Sequence, residues 1–231
     1  MRQGSRSFLS YLDEWQDGLP GAKLEAVAPD PSRAAILSVD LINGFCTEGV
    51  LASSRVQAIV QPVVTLMQKA WSYGIRKIVL SQDTHEPDAV EFSAFAPHCV
   101  RGTSEADTVP EIKNLPFFEQ ITVLEKNSIH SGMNTGLGEW IAQHPEVDTC
   151  IVVGDCTDLC TYQLAMYLRL DANARQLNRR VIVPADCVAT YDLPVAVARE
   201  IGAFPHDGDL LHQVFLYHMA LNDIEVFSSV Q

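Results

Sequence analysis

Thr149-Cys150-Ile151-Val152-Val153-Gly154-Asp155-Cys156-Thr157-Asp158-Leu159-Cys160-Thr161-Tyr162-Gln163-Leu164-Ala165 is the stretch on which the fold turns. Its first five residues form a short apolar run of strand length. Gly154 ends the run, and the residues after it take up a helical spacing that continues to Leu177. Thr157 or Asp158 is placed to cap that helix, which puts Cys160 in or near its first turn. The unit is thus a strand feeding a helix through a tight loop that carries two cysteines.

The same unit repeats outward in both directions. Apolar runs at Ala35–Val39, Lys77–Ser81, Ile121–Leu124, Thr149–Val153, Arg180–Pro184 and Glu225–Phe227 read as strands. Longer amphipathic stretches at Val56–Tyr73, Leu137–Gln143, Asp158–Leu177, Leu193–Gly202 and Asp207–Leu221 read as helices. Alternation of this kind implies right-handed βαβ units: a three-layer α/β/α fold, with a mainly parallel six-stranded sheet and helices on both faces. Residues 1–32 read as an N-terminal helical arm and loop, with Leu9, Leu12 and Trp15 at helical spacing before Gly18, Pro20 and Gly21. Residues 33–231 form the main domain. The polar stretch from Asp83 to Phe118 has no strong period, which marks it as a functional loop or one with small helices of its own.

Composition narrows the function. The 231 residues carry 16 Lys+Arg against 29 Asp+Glu, a formal charge of −13. That balance excludes a nucleic-acid surface, which needs clustered basic side chains. No apolar run reaches the ~18 residues of a membrane span, and the N-terminus lacks the apolar core of a secretory signal. Six cysteines are too few for a disulfide scaffold, so free thiols and a cytoplasmic location are expected.

In an open parallel sheet, ligands bind beyond the carboxyl ends of the strands. Asp40 directly follows the first strand, Asp83 and His85 the second, Lys126 the third, and Cys156 and Cys160 the fourth. Each alone has an ordinary structural explanation: a turn Asp, a surface Lys, loop histidines, an inert thiol. Together they bring two acids, an imidazole, an ammonium and two thiols to one edge. A nucleophilic cysteine needs a base to take its proton and a cation to favour the thiolate, and Asp40 and Lys126 supply both. Cys160 at a helix start is expected to have a lowered pKa. Asp83, His85 and His98 offer one carboxylate and two imidazoles, a set suited to Zn, Fe or Mn with positions left open. Cys46, Cys150 and Cys187 read as buried structural thiols, and His130, His144, His206, His212 and His218 as surface or core histidines.

These motifs resemble the isochorismatase-like cysteine hydrolases, and within them the nicotinamidases. The resemblance covers about residues 34–228. It is carried by Asp40-Leu41-Ile42-Asn43-Gly44-Phe45, by Asp83-Thr84-His85 with His98-Cys99-Val100-Arg101-Gly102-Thr103, by Lys126, and by Gly154 through Cys160. It implies strand order 3-2-1-4-5-6, a catalytic triad of Asp40, Lys126 and Cys160, and a divalent metal, zinc first, on Asp83, His85 and His98. It implies an oxyanion site on the backbone of Cys156 and Cys160, a non-proline cis peptide at Asp155-Cys156, and Phe45 as the substrate-side aromatic. The expected reaction is hydrolysis of a small amide, nicotinamide to nicotinate and ammonia, through a thioester. Another carboxamide, a carbamoyl compound or an isochorismate-like ether would suit the same triad, and a non-catalytic binding protein is the reading from a different class. The resemblance further implies a homodimer or homotetramer. The chain departs from the nicotinamidase pattern at Gly44, where those enzymes usually have Asp, at Thr84, and at Cys156, where Ala is usual.

Overall fold

The computed structural model describes residues 3–231. The chain begins with helix α1 (Gln3–Asp17), strand β1 (Gly21–Ala22) and a short helix α2 (Leu24–Val27). Then follow β2 (Ala34–Val39), α3 (Asn43–Cys46), α4 (Ser54–Tyr73), β3 (Lys77–Asp83), α5 (Pro110–Lys113) and β4 (Thr122–Lys126). The second half runs α6 (Leu137–Gln143), β5 (Thr149–Asp155), α7 (Cys160–Ala174), β6 (Arg180–Pro184), β7 (Val188–Ala189), α8 (Val195–Ile201), α9 (Gly208–Leu221), β8 (Glu225–Phe227) and β9 (Ser229–Val230).

The main sheet has the order β4-β3-β2-β5-β6-β8, all parallel, and β7 adds a short pairing to the end of β5. Counting its six long strands along the chain, this is the 3-2-1-4-5-6 order. β2 and β5 lie at the centre and are buried at every position, as strands covered on both faces must be. Alternate residues feed two cores. Ile36, Ile78, Leu80, Ile151 and Val153 pack under α4, which presents Ile59, Val60, Val63 and Met67. Leu37, Val39, Val152 and Val183 pack on the other face against Leu164 and Leu168 of α7 and Leu216 and Met219 of α9.

α1 packs on α9, where Trp15 meets Tyr217 edge-on at 5.3 Å. β1 pairs with β9 in a separate two-stranded ladder. The N-terminal segment therefore rests on the C-terminal one. Three strands run further than the apolar pattern implied. β3 reaches Asp83, β4 reaches Lys126 and β5 reaches Asp155, so the polar residues at these ends are held on the ladder itself. The long loop after β3 is built from short 3-10 turns at Val90–Ser93 and Ser104–Ala106, followed by α5. Among the described residues, no helix is long and apolar enough to cross a membrane.

Candidate active site

The switch between β2 and β5, where the strand order reverses, brings the candidate residues together at the carboxyl edge. Asp40 follows β2 with φ of 54°, and its N–H donates to Ser81 O at 2.9 Å. This left-handed turn, stabilised by Ile42 N–H on Asp40 O at 2.8 Å, carries the chain out of the sheet beside Asp83. Gly154 on the neighbouring strand also has positive φ, 113°, and a Cβ there would lie 2.7 Å from Val39 N. Only glycine allows the two central strands to approach this closely at the site.

Lys126 is the hub. Its Nζ is 2.8 Å from Asp40 Oδ2, 2.5 Å from Asp83 Oδ1 and 3.7 Å from Cys160 Sγ. Ladder register makes this possible, because Asp83 and Lys126 are direct partners on β3 and β4. Asp40 Oδ1 meanwhile accepts the Asp83 N–H at 2.8 Å. Asp40, Asp83 and Cys160 each place a ligand atom within 4.8 Å of the others. The Lys126 side chain is fully buried, and two carboxylates surround its charge. Burial works against the ammonium, but Asp40 and Asp83 more than offset it and raise its pKa well above the ordinary value.

The two acids part ways. Burial and the Asp83 charge push the Asp40 carboxyl up to about 6, against the pull of Lys126. Burial opposes ionisation of Asp83 too, but Lys126 with the two histidines prevails and holds it below the usual carboxylate range. A carboxylate near 6 is suited to gain and lose a proton around neutrality.

The expectation for Cys160 is corrected on one point. Burial raises its thiol well above the ordinary value, Lys126 only partly offsetting it, and nearby acids add to the rise. Burial thus favours the neutral form of this thiol, and the Asp40 carboxyl lies in the same cluster. Nor does a side chain cap α7: its N-cap residue is Leu159, with no side-chain hydrogen bond. Thr157 instead pairs with His212, its Oγ1 2.8 Å from Nδ1, and Asp158 turns to Thr190 and His206. His206 and His212, read from the sequence as ordinary core or surface residues, are thus bonded to the loop that leads to Cys160.

Asp155-Cys156 is cis. Cys156 O accepts both Leu159 N–H at 3.1 Å and Thr161 N–H at 3.0 Å, which coils the loop tightly. The N–H groups of Cys156 and Cys160 donate to no backbone acceptor among the described residues. Burial also pushes Asp155 well above the usual carboxylate range, and its Oδ1 has no partner.

Asp83, His85 and His98 converge as a second cluster contiguous with the first. Their ligand atoms all lie within 4.8 Å of one another, with His85 Nε2 3.5 Å from Asp83 Oδ1 and His98 Nε2 3.8 Å from Asp83 Oδ2. His98 reaches the site because residues 99–101 run alongside His85: His85 N–H donates to Cys99 O and Arg101 N–H to His85 O. Both imidazoles have the tautomer a metal needs. His85 Nδ1–H donates to Asn127 Oδ1 at 2.9 Å, and His98 Nδ1–H to Ala96 O at 2.8 Å, leaving each Nε2 free. His85 Nε2 is buried without any hydrogen-bond partner. An orphaned ring nitrogen facing a buried carboxylate fits a divalent cation. Asn127 was not evident in the sequence, though its place directly after Lys126 was the available signal.

The Phe45 ring lies 5.5 Å from His98. Phe92 and Phe95 complete the aromatic surround at 5.7 and 6.3 Å from the same imidazole. Both come from the aperiodic loop, which concealed them. Gly44 is explained by Cys99, whose Sγ would lie 2.5 Å from any Cβ at position 44.

Residues 34–199 match the Isochorismatase domain. The chain belongs to that family. It is an isochorismatase-like hydrolase with nicotinamidases among its relatives. It is 30% identical over 220 residues to nicotinamidase 1 of Arabidopsis thaliana, covering 86% of this chain and 87% of that one. Among solved structures it resembles a nicotinamidase from Bacillus subtilis, with a TM-score of 0.67, 20% identity, and 85% and 99% of the two chains covered. It also resembles a pyrazinamidase of Pyrococcus horikoshii in complex with zinc, with a TM-score of 0.65, 20% identity, and 84% and 98% covered.

Proposed function

We propose that this isochorismatase-like hydrolase cleaves the C–N bond of a small amide, with nicotinamide as the first substrate to test. The observation that carries the reading is Lys126, whose ammonium touches Asp40 and Asp83 and reaches Cys160 Sγ. This joins a base, a cation and a thiol in one dry site. The nicotinamidase relatives support the substrate class.

In this reading Asp40 accepts the Cys160 thiol proton as the sulfur attacks the amide carbon. Lys126 holds the developing negative charges together. The Cys156 and Cys160 N–H groups receive the oxyanion. Asp40 returns the proton to the departing ammonia, then takes one from a water that opens the thioester and releases the acid. Asp83, His85 and His98 would hold a divalent metal, zinc first, which supplies a Lewis acid for a ring nitrogen or similar lone pair of the substrate. Phe45, Phe92 and Phe95 provide apolar walls against a planar ring.

The test is ammonia release over a panel: nicotinamide, other small carboxamides, carbamoyl compounds, and an isochorismate-like ether followed by loss of substrate. Turnover of an amide that disappears in Cys160→Ala supports the reading. Turnover of the ether alone would overturn it. The homodimer or homotetramer that the resemblance implies belongs to the same reading, and light scattering of the purified protein tests it.

A further inference from the structure

The nucleophile loop contains a capping residue that does not cap. Asp158 lies two positions before Cys160 and has the chemistry to accept the free N–H groups at the start of α7. Its side chain points elsewhere. Oδ1 accepts Thr190 Oγ1–H at 2.5 Å, and Oδ2 faces His206 Nε2 at 2.7 Å. Both residues are more than nine-tenths buried.

His206 is itself fully committed. Its Nδ1 lies 2.9 Å from Tyr191 O. Its ring stacks on Tyr191 at 3.8 Å. Its backbone forms a two-bond bridge with Leu193, at 2.7 and 2.9 Å. The imidazole is thus fixed from three sides before it meets Asp158. The neighbouring Thr157 is drawn the same way, through its N–H to Ala189 O at 2.8 Å and its hydroxyl to His212.

The consequence lies at the site. A carboxylate folded back on the Cys160 N–H would fill an oxyanion position with negative charge and set a second anion beside the thiol. The observed pairing leaves that N–H, and the Cys156 N–H, without a backbone acceptor. We propose that His206 is a positioning residue that holds the Asp158 carboxylate away from the nucleophile loop and so keeps its N–H donors open for an oxyanion. This rests on the hydrolase reading above. It concerns residue 206, which lies beyond the stretch that matches the family domain.

The experiment measures kcat and KM for the amide turned over by the wild type, together with the alkylation rate of Cys160 by iodoacetamide, read by peptide mass spectrometry. His206→Ala is expected to lower kcat about 100-fold, the loss typical of one oxyanion donor, with KM changed less than threefold. His206→Gln, whose amide can donate to Asp158, should recover most of that loss. Asp158→Ala alone should keep kcat within tenfold of the wild type. His206→Ala/Asp158→Ala should be at least tenfold faster than His206→Ala, because the interfering carboxylate is gone. Cys160 alkylation should follow the same order: slowed in His206→Ala and restored in the double variant. A double variant no better than His206→Ala, or an Asp158→Ala as impaired as His206→Ala, would show a plain structural brace and overturn the proposal. If His206→Ala does not fold, as judged by its melting transition, Asp158→Ala alone decides: kcat within tenfold of the wild type supports the proposal, and a greater loss overturns it. If the wild type turns over no amide, the hydrolase reading fails, and the alkylation order still tests the placement of Asp158.

Discussion

Lys126 Nζ lies 2.5 Å from Asp83 Oδ1, so the lysine that faces the thiol is also bound to the acid of the candidate metal set. The two clusters are therefore one electrostatic unit. Asp83 stays ionised because Lys126 and the histidines hold it so, while Asp40, on the other side of the same ammonium, is left as the group that titrates near neutrality.

Cys160→Ala should reduce amide turnover by more than about 1,000-fold and leave the fold and metal content intact, since the change is small and the sulfur is the proposed nucleophile. Cys156→Ala should stay within about fivefold of wild type, because the proposed reaction uses only the backbone N–H of Cys156. Ammonia release and metal analysis on both variants check this. Reversed outcomes would mean the nucleophile is Cys156.

The acid limb of kcat/KM should fall through about pH 6. In the proposed reaction Asp40 must be ionised to accept the thiol proton, and burial with the Asp83 charge raises it to about 6. Activity is thus present above that value and lost as pH drops below it. A pH–rate profile with its acid limb near pH 4 would show that Asp40 is not the base.

Lys126→Met should destabilise the protein by about 3–5 kcal/mol at pH 7.5, because it leaves two buried carboxylates without their cation. The sign of its pH dependence follows. Unpaired buried acids have raised pKa values, so the folded variant binds more protons than the unfolded chain and gains stability as pH falls toward 5. Urea denaturation of wild type and variant at the two pH values measures this.

Asn127→Ala should weaken metal affinity about 10–100-fold by freeing the His85 ring, with no change at the triad. His85→Ala and His98→Ala should lose the metal outright. Competition with a chelating dye, followed by elemental analysis, gives the affinities. Full metal retention in all three would remove these residues from the ligand set.

His212 should make the protein less stable in mild acid. Its side chain is pushed down to about 4 by burial and by Arg55, from an unfolded value of about 6.5. Between those values the unfolded chain binds the extra proton, so stability falls as pH falls from 6.5 to 4. Over pH 6.5 to 5 this amounts to about 2 kcal/mol, at 1.36 kcal/mol per pH unit. His212→Asn should reduce the wild-type loss over that range by about this amount in parallel urea titrations. An unchanged slope would place the acid sensitivity elsewhere.

Much of this was written into the chain itself. Apolar runs alternating with amphipathic ones determined a parallel sheet, because strands buried on both faces must be continuously apolar and their crossovers must be helical. The sheet determined the edge at which ligands bind, and the chemistry-bearing residues already stood at the strand ends: Asp40, Asp83, Lys126 and Cys160. Local sequence could not determine what burial did to them. Cys160, at a helix start, was expected to have a lowered pKa, yet desolvation by the surrounding core, with the nearby acids, outweighs the pull of Lys126 and raises it. Asp158 and Thr157 had the side chains of helix caps, but contacts from residues 32 to 55 positions away took both. Phe92, Phe95, Asn127 and His206 had no periodic signature, because loops place side chains by tertiary bonds and not by a repeating backbone geometry. Capping and strand patterns act over a few residues and so are visible in sequence. Desolvation and long-range hydrogen bonds depend on what the rest of the chain brings alongside, and only the folded structure supplies that.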